Sequence, residues 1–231
     1  MRVTSMRLIN YRSFADSESI ELDQINVLVG RNNAGKSTII RALYLLQSGS
    51  ADPSDVRLNS ELAEIKIELA EISEPSLVQY VPANSPSEGT VALRLRRDGR
   101  YATEAQYGSN TVAFNQFPGR EPENFIYPYL SKRKVTEFTQ SVNLTTTMAV
   151  GPNMAHIVSK VSRLSNAAHP LYEEYRAACR QVLGFDITAF ASPGGHQAGM
   201  IVDRFNNIPL EAMGEGVSSL LALITDLRAC A

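Results

Sequence analysis

Apolar positions in the first third of the chain recur with two different periods. Up to residue 30 the pattern is that of strands. RVTSMRLINYRSF begins with partial alternation, ADSESIEL follows as a second strand, and INVLV is a short apolar run of the kind that forms a buried strand. From Lys36 the period turns helical, with Ile39, Ile40, Leu43, Leu45 and Leu46 available for a buried face, and SGSADPSD ends the helix. AEIKIELAEI then alternates cleanly. After the loop VQYVPANSPSEG, the segment GTVALRLRRDGRYATEAQYG predicts a hairpin with Asp98-Gly99 at its turn.

The second half is less periodic. NFIYPYLSKRK predicts a strand that ends in a basic cluster. NMAHIVSKVSRL and PLYEEYRAACRQVLG predict two helices, with Gly184 capping the second. FDITAFAS and GMIVDRF predict strands on either side of PGGHQA, and a last helix starts near Gly214. There is no internal repeat and no sustained heptad. The order of elements predicts an α/β fold: a mixed sheet, an antiparallel β-rich section at about 60–130, and a helical section at about 153–184.

Between INVLV and the first helix stands Gly30-Arg31-Asn32-Asn33-Ala34-Gly35-Lys36-Ser37, which fits G-x-x-x-x-G-K-[ST]. A strand before it and a helix after it are the context that this phosphate-loop motif requires. The glycines let the backbone curl so that successive N–H groups point at phosphate oxygens. The dipole at the start of the helix adds favourable potential for negative charge. Lys36, the catalytic candidate, is expected on the β- and γ-phosphates, and the Ser37 hydroxyl on Mg²⁺. Arg31, Asn32, Asn33, Ala34 and Thr38 complete the nucleotide-binding set with Gly30 and Gly35. No N-K-x-D guanine motif accompanies the loop. A long antiparallel meander follows it instead of the acceptor-binding section of a small-molecule kinase, so the expected nucleotide is ATP.

Charge and composition narrow the picture. The chain of 231 residues is 44% apolar and 20% charged, ordinary for a globular protein. A net charge of −2 argues against whole-molecule attraction to nucleic acid. DNA contact would need a local patch, such as Arg94, Arg96, Arg97 and Arg100 or Lys132, Arg133 and Lys134; a solvated face is the plainer reading of both. Cys179 and Cys230 lack CxxC spacing, and a reducing compartment is expected. MRVTSMRLINYRSF has no apolar core of a signal peptide, and no apolar run approaches the ~20 residues that cross a bilayer. The expected setting is cytoplasmic. The three histidines do not cluster at metal-ligand spacing.

Near the end, LEAMGEGVSSLLAL places Gly214 and Gly216 before a helix led by Ser218 and Ser219, a second helix N-terminus with exposed backbone donors. With LINYRSF and SIEL ahead of INVLVGRNNAGKSTIIRAL, the chain resembles the ABC-type ATPases of the SMC, RecF and OLD (overcoming-lysogenization-defect) group. The resemblance is specific over residues 1–46, weaker over 208–228, and rests between them on the order of elements alone.

That resemblance implies several roles. Arg12 of NYRSF matches a basic residue that approaches the bound phosphates. Gly214, Glu215 and Gly216 match the signature core, which in relatives binds the γ-phosphate of ATP held by a second subunit. ATP, Mg²⁺ and a homodimer that sandwiches two nucleotides follow. The chain departs from the pattern in one place: the usual serine is Gly214 and the usual first glycine is Glu215, whose carboxylate would repel a γ-phosphate unless it points away. Backbone donors of Gly216 and Val217 remain. A Q-loop glutamine is implied, and Gln79, Gln106, Gln116 and Gln140 are not distinguished.

In this family an apolar strand ending in Asp and Glu, the Walker B strand, follows the signature helix. Here Ala231 comes within or just after that helix, and GMIVDRF carries one acid and precedes the signature. The expectation is an ATPase head without its Walker B half, binding ATP alone and hydrolysing it in the intact dimer. The compact connection between the motifs differs from the long coiled coil of SMC proteins. RecF-like repair proteins and OLD-like proteins remain; the latter often carry a TOPRIM nuclease and include bacteriophage-defence systems. GRNNAGKST with MGEGVSSLL leans toward the OLD-like side by analogy. A different class is also open: a non-catalytic nucleotide-sensing scaffold that binds ATP to assemble with an effector.

Overall fold

The alternating segments of the N-terminal half pair into one antiparallel sheet. In the computed structural model the described residues are 1–32, 34–72, 87–129, 135, 137–152, 154–203 and 206–229. The chain divides into two compact units, Met1–Pro118 and Gly119–Ala231.

In the N-terminal unit the strands are β1 (Arg2–Tyr11), β2 (Phe14–Asp16), β3 (Ile20–Glu21), β4 (Leu62–Ala70), β5 (Gly89–Arg96), β6 (Tyr101–Tyr107) and β7 (Asn110–Phe114). Their order is β2-β1-β4-β5-β6-β7, with β3 also paired to β1, and every pairing is antiparallel. Period-2 alternation sends Ala63, Ile65, Ile67 and Leu69 of β4 inward with Val91, Leu93 and Leu95 of β5 and Met6 and Leu8 of β1. The β5–β6 hairpin turns at Asp98-Gly99 as expected, with Gly99 at φ +86 and the Arg96 amide donating to the Arg100 carbonyl.

The first helix, α1 (Lys36–Ser48), buries Ile39, Ala42, Leu45, Leu46 and Gln47. Its far end is tied down where the Phe117 amide donates to the Leu46 carbonyl over 2.9 Å. The run expected as a buried strand, INVLV, is different. Residues 25–29 are not a strand, and Ile25, Val27 and Val29 are 86%, 80% and 91% exposed. An apolar run is buried only when a neighbour covers it, and among the described residues no strand pairs with this one.

The C-terminal unit contains β8 (Thr139–Gln140), α2 (Leu144–Met148), α3 (Ile157–Leu164), α4 (Tyr172–Val182), β9 (Thr188–Ser192), β10 (Gly195–Ile201), β11 (Asn207–Pro209) and α5 (Glu215–Ala229). β10 is the centre of a small antiparallel sheet with β8, β9 and β11. Ile157, Val158, Val161 and Leu164 of α3 meet Tyr175 and Cys179 of α4 and Leu221, Ala222 and Ile224 of α5 in one apolar core. Gly184, at φ +87, follows α4, and its amide donates to the Arg180 carbonyl, as the capping reading requires. The strand expected over NFIYPYLSKRK is not formed at residues 124–129, and residues 130–134 lie outside the described set. None of the described helices is long and apolar enough to cross a membrane. Cys179 is a buried free thiol whose pKa burial pushes up; Cys230 lies outside the described residues.

Candidate functional site

The glycine-bounded loop ends where α1 begins. Gly35 is the residue before the helix, in the left-handed conformation (φ +87), and no side chain caps the helix there. The first turn of α1 contains no acidic residue. Apart from the Thr38 amide, which donates to the Gly35 carbonyl over 2.9 Å, its first N–H groups have no partner within the helix, and its positive end carries no acid, so this terminus is suited to an anion. The Lys36 side chain folds back, its ammonium donating to the carbonyls of Gly30 and Arg31 at 2.7 Å each. Gly30, Arg31, Asn32, Ala34 and Ser37 are exposed, Lys36 and Thr38 half-buried; Asn33 lies outside the described residues. These groups fit a nucleotide phosphate chain. Backbone donors and Lys36 would hold the phosphates, and the exposed Ser37 hydroxyl would be the group to take a hard cation such as Mg²⁺.

The β1–β2 turn is packed against this loop. A β-carbon on Gly35 would lie 3.0 Å from the Phe14 ring and 3.0 Å from the Ser13 hydroxyl. Arg12, in the same turn, has φ +51, and its amide donates to the Asp55 carbonyl over 2.8 Å. The Arg12 guanidinium stands beside the Asp55 carboxylate (3.5 Å), which also pairs with Arg41 of α1 (3.3 Å). The structure thus brings Arg12 to the phosphate-loop side of the sheet. Asp55 and Arg41 had drawn no attention in the sequence. A single acid in the polar stretch SGSADPSD carries no local sign that it is buried, and Arg41 has the spacing of any solvent-facing helix residue.

The signature-like segment opens α5. Gly214, Glu215 and Gly216 are exposed, and the Val217 amide donates to the Gly214 carbonyl over 2.9 Å. Glu215 places an acid in the first turn of α5, which offsets the helix dipole that α1 leaves free. Among the described residues a β-carbon on either glycine would meet nothing within 4 Å, and neither glycine has positive φ. Further along, α5 is anchored by a buried charge network: Lys160 of α3 pairs with Asp226 at 2.5 Å and with Glu121 at 2.6 Å. Tyr129 donates to Asp226, Arg163 pairs with Glu121, and the Lys160 ammonium lies 4.9 Å from the centre of the Tyr127 ring. Burial raises the Asp226 carboxyl above its ordinary value, with Lys160 and Tyr129 pulling the other way.

The remaining candidates divide. Gln106, exposed on β6, bonds back to the Gly108 carbonyl. Gln116 lies beside Gly49 at the C-terminal end of α1, the opposite end from Lys36. Gln140 is buried, its carbonyl near the Ser159 amide and hydroxyl. Gln79 lies outside the described residues, as do Lys132, Arg133 and Lys134. The arginines of the β5–β6 hairpin are internally engaged: Arg94 lies between Glu64 and Glu104, Arg97 donates to the carbonyls of Ser60 and Arg57, and Arg96 and Arg100 face Asp98. Among the described residues, no group of three or more His, Cys, Asp or Glu side chains could hold a metal ion.

Residues 1–91 match the AAA ATPase domain family. DNA replication and repair protein RecF of Thermomicrobium roseum is 32% identical over 112 residues, which cover 43% of this chain and 28% of the relative. The chain spans about a quarter of the length of the curated relatives it matches. Among solved structures, an Smc head bound to the C-winged helix domain of ScpA superposes over 99% of this chain and 76% of its own, with TM-score 0.61 and 14% identity. The recombination mediator protein RecF with ATPrS covers 99% of this chain and 80% of its own, with TM-score 0.55 and 10% identity. The chain thus shares its fold with SMC and RecF heads, and its N-terminal segment matches an AAA ATPase domain.

Proposed function

We propose that the chain is the ATP-binding head of an ATPase: alone it binds Mg²⁺–ATP at Gly30–Thr38 without turnover, and the intact protein hydrolyses it as a homodimer, coupled to a DNA-directed task. The observation that carries this reading is the start of α1: uncapped, free of acids, and preceded by a loop whose lysine is already turned inward. Backbone donors and Lys36 hold the polyphosphate, Arg12 approaches it from the β1–β2 turn, and Ser37 takes the cation. Gly214, Glu215 and Gly216 contact the nucleotide of the partner head. Two bare glycines whose own chain needs neither support this role, because something from outside can approach their backbone closely.

Similarity to the DNA replication and repair protein RecF favours DNA repair as the task; bacteriophage defence with an effector or nuclease is the alternative for the same head. A cytoplasmic setting fits the free, buried thiol of Cys179. The test is turnover and sedimentation of the intact protein in Mg²⁺–ATP. Hydrolysis with a shift from monomer to dimer, both lost in Ser37→Ala, is the expected result. Neither turnover nor dimer in the wild-type protein would overturn it.

One observation favours a second reading. Glu215 in the first turn of α5 weakens that terminus as a γ-phosphate site. A nucleotide-sensing scaffold without turnover fits that feature, and ATP-dependent capture of an effector protein in the absence of hydrolysis would select it.

A further inference from the structure

Asp55 is 1% exposed, yet it sits between two guanidiniums that are each more than a third exposed, Arg12 and Arg41. A buried carboxylate needs paired charge, because desolvation costs it several kcal/mol. Here one carboxylate faces two cations, and both use the Nε edge toward the same oxygen, Oδ1, at 3.5 and 3.3 Å. The other oxygen, Oδ2, is buried without a hydrogen-bond partner among the described residues. These three side chains together carry a surplus of one positive charge, partly offset by the nearby exposed carboxylate of Asp52, whose pKa is lowered by hydrogen bonds from Ser54 and further by both arginines. A guanidinium has five donors, and its outer edge is matched in shape to phosphate.

The backbone fixes where that surplus lies. The Arg12 amide donates to the Asp55 carbonyl, the Arg57 amide to the Asn10 carbonyl, and the Arg57 guanidinium to the Ser13 carbonyl. Ser13 and Phe14, next in the chain, touch Gly35 of the phosphate loop. Arg41 is on α1 itself, five residues after Lys36, about 7.5 Å along the helix. One buried acid thus ties together the turn that flanks the loop and the helix that the loop begins.

We propose that Asp55 is a positioning residue of the phosphate site, holding Arg12 and Arg41 as a paired cationic fork for the polyphosphate of the nucleotide bound at Gly30–Ser37. This rests on the ATP-binding reading above and adds a second arginine and a buried carboxylate to it. The sign of the effect separates positioning from through-space charge. Removing an anion near a bound polyphosphate strengthens binding by electrostatics alone, whereas losing the support of the fork weakens it.

The experiment is a double-mutant cycle on ATP affinity in the whole chain, comparing wild type, Arg12→Gln, Asp55→Asn and the double variant, with circular dichroism to confirm folding. Asp55→Asn is expected to weaken ATP about tenfold or more, the loss typical of one charge-assisted hydrogen bond. The double variant is expected to lose less than the product of the two single losses, because Asp55 acts partly through Arg12 and partly through Arg41. Unchanged or tighter binding by Asp55→Asn, or losses that multiply, would overturn the proposal. Should Asp55→Asn not fold, the half-exposed Arg41→Gln takes its place: a several-fold loss at unchanged melting temperature is expected, and wild-type affinity overturns the fork. A wild-type chain that binds ATP no better than Lys36→Ala removes the ATP reading and the fork with it. Lys36-dependent binding that Asp55→Asn and Arg41→Gln leave intact removes the fork only.

Discussion

Phe14 lies against Gly35, so close that a β-carbon on the glycine would stand 3.0 Å from the ring. The aromatic residue of the N-terminal turn thereby sets the floor of the phosphate loop, and Gly35 is needed both for this approach and for its φ of +87. Gly35→Ala introduces strain of about 1–2 kcal/mol from the left-handed conformation and the contact with Phe14. Expected is at least a tenfold loss of ATP affinity with the secondary structure intact, read by titration alongside circular dichroism. Retained affinity would show that the loop can close without this contact.

Lys160 holds two carboxylates in the C-terminal unit, and its side chain is almost fully buried. Removing the ammonium leaves Glu121 with Arg163 as its ion-pair partner and Asp226, among the described residues, with the Tyr129 hydroxyl. Breaking a buried pair in this way costs about 3–5 kcal/mol. Lys160→Met is therefore expected to lower the unfolding midpoint in urea by a corresponding margin, although the side chain is of similar length.

The raised carboxyl of Asp226 gives a pH signature. A group whose folded pKa lies above its unfolded value of 3.8 stabilises the fold fully below that value, and loses this contribution as pH rises through the folded value. Asp226→Asn removes the titration. Wild type is thus expected to lose stability relative to the asparagine variant as pH climbs from about 4 toward neutrality. Urea midpoints of both proteins at several pH values test this; a difference that does not change with pH would contradict it.

Gly216 offers a test of a partner's approach. A β-carbon there meets nothing within 4 Å among the described residues, and the backbone does not require glycine. Gly216→Val is expected to leave the melting temperature nearly unchanged while reducing ATP turnover of the dimer at least tenfold. Full turnover would mean that no nucleotide comes close to this helix terminus.

The elements that carry the phosphate site were legible because local rules govern them. Gly35 ends a loop and Lys36 starts a helix whatever the rest of the molecule does, and Asp98-Gly99 sets its own hairpin. INVLV was misread as buried because burial depends on a neighbour, and the apolar pattern does not name one. NFIYPYLSKRK was misread for a related reason. Its aromatic residues suit a strand, but Tyr127 and Tyr129 serve the Lys160–Asp226 network, a contact some hundred residues away in sequence that periodicity cannot show. Asp55 stayed hidden in the same way: nothing beside it announces that two arginines converge on it.

The most direct test of ATP binding at the phosphate loop is calorimetric titration of Mg²⁺–ATP into the wild-type chain and into Lys36→Ala, both shown to be folded. Saturable binding by wild type, weakened at least a hundredfold by the substitution, is the expected result, since Lys36 supplies a full charge to the polyphosphate. Equal affinity in a folded Lys36→Ala protein would contradict it.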